Sequence, residues 1–296
     1  MTHRRRKTKA AARVIAAAIL FSTGGAAIKT GTFSAMQVAS LRSVIAAAVL
    51  LLWFRGRARW SPAATGIAVV YAATLILFVG ATRLTTAASA IFLQSTAPLY
   101  VALLSPLLLG ERFRPRDIGF LTAVAVGLAL CTAGGVASSL TAPDPMTGNV
   151  LGAICGLTWA LTLMGLRRGA RIQAGVAPSA VIAGNLLAFA AGLPALVALP
   201  AASAAEWATL GYLGVFQIGV AYILLTAAMG DLPALHVSLL LMLEPVLNPV
   251  WAWLVRGEAP GVWAIAGGAI ILGASAGQLI VDARTRGAAT GRPVVL

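Results

Sequence analysis

The chain has 296 residues, 59% of them hydrophobic and only 10% charged, with a formal net charge of +14. A soluble domain carries about a quarter charged residues, so this chain has too little polar surface to cover a globule, and a bilayer is the solvent that fits it. The positive balance does not indicate nucleic acid. Lys and Arg fall in short clusters between long apolar runs, as cytoplasmic loops do under the positive-inside rule.

A membrane helix needs about 20 apolar residues. Ten such runs are expected, at 14–32, 35–54, 65–82, 86–109, 117–136, 149–167, 178–200, 207–229, 234–255 and 262–281. A basic cytoplasmic segment, 1–13, precedes them and a tail, 282–296, follows. The break at 137–148 carries Pro143, Asp144 and Pro145 and no basic residue, and divides the chain into halves 14–136 and 149–281. The basic start, apolar stretch and Gly24-Gly25-Ala26-Ala27 also fit a secretory signal. The apolar run continues to Thr32, however, so the first helix is expected to be retained.

With the N-terminus inside, 18 of the 22 Lys and Arg residues fall on the inner side. Arg83 and Arg256 fall outside, and Lys29 and Arg42 lie within or at the ends of spans. Both termini are therefore expected in the cytoplasm. The loop at 230–233 has no basic residue, and its side follows from the span count alone.

One segment occurs twice. Residues 98–111 read P-L-Y-V-A-L-L-S-P-L-L-L-G-E, and 245–258 read P-V-L-N-P-V-W-A-W-L-V-R-G-E. Pro98, Gly110 and Glu111 recur as Pro245, Gly257 and Glu258. The first copy ends inside and the second outside, five spans later, so the repeats are inverted. The expected fold is an all-α polytopic membrane protein of ten transmembrane helices in two inverted five-helix repeats, an architecture that transporters use. Small-residue pairs at Gly152/Gly156, Gly165/Gly169 and Gly273/Gly277 supply close helix contacts.

An ionisable side chain in mid-bilayer costs about 2.5–3.5 kcal/mol on insertion scales, so such groups mark protein-facing sites. Glu244 lies midway along the ninth run, beside Pro245, with Asn248 and Pro249 one turn on. Each proline removes an N–H, freeing the carbonyls of Leu241 and Pro245. Pro98, Pro245 and Pro249 are thus expected helix-bending residues. Ala97 stands where Glu244 stands in the second copy, with Gln94 one turn earlier. The copies share the proline and not the charge. Trp159, Gln217 and Tyr222 are mid-span candidates for lining a cavity. Glu244 and His236 are candidate proton-coupling groups. Lys29 and Arg42 could bind a substrate carboxylate, but both lie toward the outer half of the membrane or near its ends, so snorkelling is the stronger account, Arg42 being the harder to place so.

Enzymatic readings find no support. Gly273-Ala-Ser275-Ala-Gly277 matches the G-x-S-x-G pattern, but that elbow needs a preceding strand and a following histidine. The only histidines are His3 and His236. Cys131 and Cys155 both lie in apolar runs and read as packing residues. No metal or cofactor is expected.

Taken together, Leu41-Arg42, Pro98 to Glu111, Thr158-Trp159-Ala160 and Glu244-Pro245 to Glu258 make the chain resemble the drug/metabolite transporter superfamily, specifically EamA-type exporters. The resemblance covers about residues 14–281. It implies a bacterial inner-membrane exporter of small metabolites, amino acids foremost, with a central cavity between the halves. That cavity would be lined by the third, fourth, eighth and ninth helices with parts of the first and sixth. Gln94, Trp159, Gln217, Tyr222, Glu244 and Asn248 are assigned to it as substrate-binding residues. The expected partners are a small-molecule substrate and the lipid bilayer, with transport either coupled to protons through Glu244 or simply downhill, and the expected state is a monomer. A cationic-drug exporter of the same fold and a non-transporting membrane scaffold are the alternatives.

Overall fold

In the computed structural model, the described residues are 3–110, 116–133, 142–256 and parts of 262–277. Among them the protein is helical from end to end. Six helices are long and apolar enough to cross a membrane: Arg6–Ile28, Ala35–Trp53, Pro62–Leu84, Ala87–Leu109, Pro145–Ile172 and Ala204–Met229. Three shorter apolar helices accompany them, Ile118–Gly127, Val176–Ala191 and Ala234–Asn248.

Local chemistry sets the helix starts. Before α3 (Ala35–Trp53), Ser34 and Gln37 form a reciprocal capping box. Before α4 (Pro62–Leu84), Ser61 accepts from Ala64 N–H, and Pro62 takes the first helical position, where its missing N–H costs nothing. Gly110 ends α6 (Ala97–Leu109) in the left-handed region, φ +63°. The glycine of the repeated Gly-Glu is therefore a helix stop, because a side chain there would be strained. Glu111, Gly257 and Glu258 lie outside the described residues.

Cross-chain bonds show how the helices alternate. At one end, Arg6 Nε lies 3.9 Å from Asp231 Oδ1. At the same end Arg59 N–H donates to Gly175 O (3.1 Å), Arg171 to Leu109 O (3.1 Å) and Arg13 to Ala227 O (3.5 Å). These contacts gather the N-terminal segment, the loop after α3, the end of α6, the end of α8 (Pro145–Ile172) and the turn 230–233 on one basic face. At the opposite end, Lys29 Nζ donates to Thr85 O (2.7 Å) and Asp144 N–H to Leu84 O (3.1 Å). Thr32 N–H there donates to Glu206 Oε1 (2.6 Å).

The fourth helix of each half is broken beside its shared proline. α5 (Ala87–Gln94) stops at a turn over Ser95 and Thr96 before α6. α12 (Ala234–Leu240) stops at Leu241 and Met242 before α13 (Leu243–Arg256). Pro98 and Pro245 cannot donate to the carbonyl four residues back, which weakens the helix at those points. α12 packs on α6 and α13 on α5. The two broken helices thus run antiparallel, as inverted repeats require.

Glycine stripes let α8 approach its neighbours. A Cβ on Gly156 would lie 2.4 Å from Thr96 Oγ1 and 2.8 Å from Leu93 O, and one on Gly165 would lie 2.9 Å from Ile67. Gly152/Gly156 and Gly165/Gly169 are contact pairs as expected. Gly273 and Gly277 meet nothing within 4 Å among the described residues, so that pair makes no close helix contact there.

One expected helix ends well short of its run, and another run divides. α9 (Val176–Ala191) ends nine residues before the 200 expected. Gly192 presses against Ser40, where a Cβ would lie 2.6 Å from Ser40 Cβ, and a 3₁₀ turn, Leu193–Leu196, follows with Pro194 inside it. Gln37 Nε2 satisfies the freed carbonyls of Ala195 and Ala198, both at 2.9 Å. The eighth run divides into α10 (Ala204–Tyr212), a π-helical stretch Leu213–Val220, and α11 (Ala221–Met229).

Candidate functional site

Where the broken helices meet α1 (His3–Ser22), α3, α4, α8 and the π-helical stretch, they enclose a cavity of about 30 Å³. That is room for a water or two and not for a metabolite. Its wall is made by Phe21, Arg42, Thr74, Leu75, Phe78, Gln94, Trp159, Gln217, Ile218, Tyr222 and Glu244.

Five of the six substrate-site residues expected from sequence converge here: Gln94, Trp159, Gln217, Tyr222 and Glu244. Asn248 does not line the cavity. It lies one turn beyond Glu244, 1% exposed, against Gly25 of α2 (Gly24–Ile28), with neither amide atom hydrogen-bonded. His236 lies half-buried in α12, away from the cavity wall. Pro98 and Pro245 are buried beside the two breaks, and Pro249 lies within α13.

For Arg42, sequence reasoning preferred snorkelling to a site role. It does not snorkel. It is 1% exposed, and its guanidinium donates from Nη1 to Gln217 Oε1 (3.3 Å) and from Nη2 to Leu75 O (3.2 Å). Its Nε–H is buried with no acceptor. The available signal was its position, seven residues into an apolar helix and too deep for the head to reach either surface. The lining by α3 was missed with it. Phe21, Thr74, Leu75, Phe78 and Ile218 had no distinguishing signal, since each is an ordinary residue in an apolar run.

The backbone explains why these groups meet. A Cβ on Gly214 would lie 2.5 Å from Ile45 Cβ and 2.9 Å from Arg42 O, and one on Gly219 would lie 2.9 Å from Val49. Two glycines thus let the π-helical stretch close on α3, which brings Gln217 to Arg42. A Cβ on Gly24 would lie 2.7 Å from Gln217 Nε2, so this glycine leaves the amide its space. A π-helical turn re-aims side chains and is frequent at functional sites.

Aromatic rings form one side of the cavity. Phe21 meets Trp159 (centroids 6.1 Å, 86°) and Tyr222 (5.2 Å, 69°) edge to face. Trp159 and Tyr222 are 6.3 Å apart at 77°. Tyr71 backs Tyr222 at 4.7 Å, and its hydroxyl accepts from Asn185 Nδ2 (3.1 Å). Glu244 is 5% exposed, and its carboxylate has no hydrogen-bond partner among the described residues. Among those residues no three His, Cys, Asp or Glu side chains converge as a metal site would require.

A second, larger cavity of about 460 Å³ lies toward the far end, lined by Thr23, Ala26, Ala27, Thr30, Ala208, Thr209, Tyr212 and Trp251. The junction of α1 and α2 divides the two cavities. Phe21 faces the central one and Thr23 the other. Two hydrogen bonds fasten this junction, from Trp251 Nε1 to Ser22 Oγ (2.8 Å) and from Tyr212 Oη to Thr23 Oγ1 (2.9 Å).

Comparison with known proteins agrees with this architecture. The EamA-like transporter family matches over residues 8–133 and 146–279, one match for each half. The chain is 33% identical over 196 residues to the aromatic amino acid exporter YddG of Ancylobacter novellus, covering 62% of this chain and 64% of that protein. The match thus spans a little under two thirds of that relative's length. A solved crystal structure shares the fold, with a TM-score of 0.70, 22% identity and coverage of 94% of this chain and 99% of the other. With a family match across both repeats, the chain belongs to the EamA-like transporter family.

Proposed function

We propose that this protein exports small amphipathic metabolites, aromatic amino acids foremost, by alternating access through the central cavity. The observation that carries the reading is the cavity wall, where Phe21, Trp159 and Tyr222 share the lining with polar Gln94, Gln217 and Glu244 at the meeting of two broken helices. Broken helices at mid-depth between inverted repeats are the usual place for a transporter's substrate. The name of the exporter relative supports the same substrate class.

In this reading the chain crosses the bacterial inner membrane ten times as a monomer, with the basic face and both termini in the cytoplasm. The central cavity is collapsed, and the larger far-end cavity is the outer vestibule. Binding from the cytoplasm separates α1, α8 and α11 at the inner end. Release requires the α1–α2 junction to part from Tyr212 and Trp251. Glu244 is the proton-coupling carboxylate, exchanging a proton for substrate in each cycle. The protein performs no covalent chemistry.

The test is transport into inverted membrane vesicles bearing the full chain. Saturable uptake of labelled phenylalanine, tyrosine or tryptophan supports the reading. Uptake of organic cations with none of the amino acids would replace it by the cationic-drug alternative, and no saturable uptake of either class would leave a scaffold. Glu244→Gln uptake with wild-type rate and pH dependence would remove Glu244 as the coupling group.

A further inference from the structure

We infer that Arg42 and Glu244 form a two-point clamp for the α-carboxylate and α-ammonium of a zwitterionic amino acid. This deepens the exporter reading and rests on it. Three observations carry it.

First, an arginine and a glutamate line the same small cavity, both nearly inaccessible, and no ion pair joins them: no nitrogen of Arg42 lies within 4.0 Å of an oxygen of Glu244. Buried charges ordinarily pair, because each alone bears its full desolvation penalty. Two ionisable groups of opposite sign held apart around one space suit a ligand that bears both charges.

Second, the hydrogen bonding of each is incomplete. A guanidinium has five N–H donors, and Arg42 uses two, on an amide oxygen and a main-chain carbonyl, both neutral acceptors. Its Nε–H is buried and without an acceptor. Nε and an Nη together make the planar fork that receives a carboxylate. Glu244 accepts no hydrogen bond among the described residues. Gln94 Oε1 is a further buried acceptor without a donor.

Third, Gln217 accepts from Arg42 Nη1 inside the cavity. Its Oε1 takes a donor that a carboxylate would take. Because Gln217 is on the π-helical stretch and Arg42 on α3, a ligand that displaces this contact also loosens the packing between them. Binding and opening are then one event. The aromatic side of the cavity receives the rest of the substrate.

The clamp separates ligands by their headgroups. A site whose buried polar groups are left unpaired by a truncated ligand rejects that ligand strongly. The purified full chain in detergent is titrated with L-phenylalanine, phenethylamine, which lacks the carboxylate, and 3-phenylpropionate, which lacks the amine. Wild type is expected to prefer L-phenylalanine to each by at least about 100-fold. Arg42→Gln should weaken L-phenylalanine about 30-fold or more and bring phenethylamine level with it. Glu244→Gln should do the same for 3-phenylpropionate. Arg42→Lys keeps the charge without the fork and should fall between wild type and Arg42→Gln.

If wild type binds L-phenylalanine without this headgroup preference, the clamp is wrong while the exporter reading stands. That comparison needs no variant to fold. Binding of none of the three ligands removes the amino-acid reading and the clamp with it. An Arg42→Gln protein that is monodisperse and keeps wild-type affinity and preference also overturns the clamp.

Discussion

Gln217 Oε1 accepts a hydrogen bond from Arg42 Nη1 at 3.3 Å, and this contact joins the π-helical stretch to α3 inside the membrane. Removing the amide leaves a buried guanidinium with a single acceptor, the Leu75 carbonyl. Gln217→Leu should therefore destabilise the unliganded protein by about 1–3 kcal/mol, the usual penalty for orphaning a buried polar group. It should also enlarge the thermal shift produced by L-phenylalanine, because the ligand carboxylate no longer competes with an internal acceptor. Thermal unfolding in detergent with and without ligand checks both, and an unchanged melting temperature would show that the contact is incidental.

Gly156 admits α8 to the α5–α6 break so closely that a Cβ would overlap Thr96 Oγ1 and Leu93 O. Overpacking a tight contact costs about 1–3 kcal/mol and sometimes more. Gly156→Leu should lower the melting temperature and the yield of monodisperse protein. Gly273→Leu, where nothing lies within 4 Å among the described residues, should fall within about 0.5 kcal/mol of wild type. Equal effects at the two positions would contradict the packing described.

Ser22–Trp251 and Thr23–Tyr212 fasten the wall between the cavities. Trp251→Phe and Tyr212→Phe each delete one hydrogen bond, worth about 1 kcal/mol net, or roughly fivefold in the open-to-closed ratio. A Thr74→Cys reporter in a background with Cys131 and Cys155 replaced should then react about fivefold faster with a membrane-impermeant thiol reagent added outside. An unaltered labelling rate in both variants would place the outer seal elsewhere.

Asn248 is buried with neither amide atom bonded. Replacing an unsatisfied amide by an apolar group of similar shape is neutral or stabilising. Asn248→Leu should raise stability by about 1–3 kcal/mol. Its effect on transport separates a role in the substrate path from a packing role: wild-type export by the stabilised variant leaves only packing.

The site was legible wherever one residue broke a local rule. Glu244 stands out as a carboxylate in an apolar run. Pro98 and Pro245 announce the two breaks, which fall within two residues of where their missing N–H groups place them. Gln94, Gln217, Trp159 and Tyr222 are polar or aromatic groups at mid-span, and all reached the cavity. Arg42 was visible as an anomaly and as a possible carboxylate ligand, but snorkelling outweighed that reading because it is the ordinary account of a long cationic side chain near a membrane surface. Asn248 shared the helix of Glu244 and appeared to share its cavity, but one turn of a bent helix was enough to aim it at Gly25.

By itself the sequence determined the solvent, the helical class, the duplication and the positions of the bends. These follow from composition, from the length an apolar run needs and from the missing donors of proline, all properties of single segments. Tertiary structure alone decided that Arg42 lines the cavity, that it shares that cavity with Glu244 without pairing, and that Phe21 and Thr23 stand on opposite sides of one wall. Those facts depend on how closely helices approach. Glycines 24, 156, 214 and 219 set that approach through contacts with residues remote in the chain, and no local pattern encodes the distance between two surfaces.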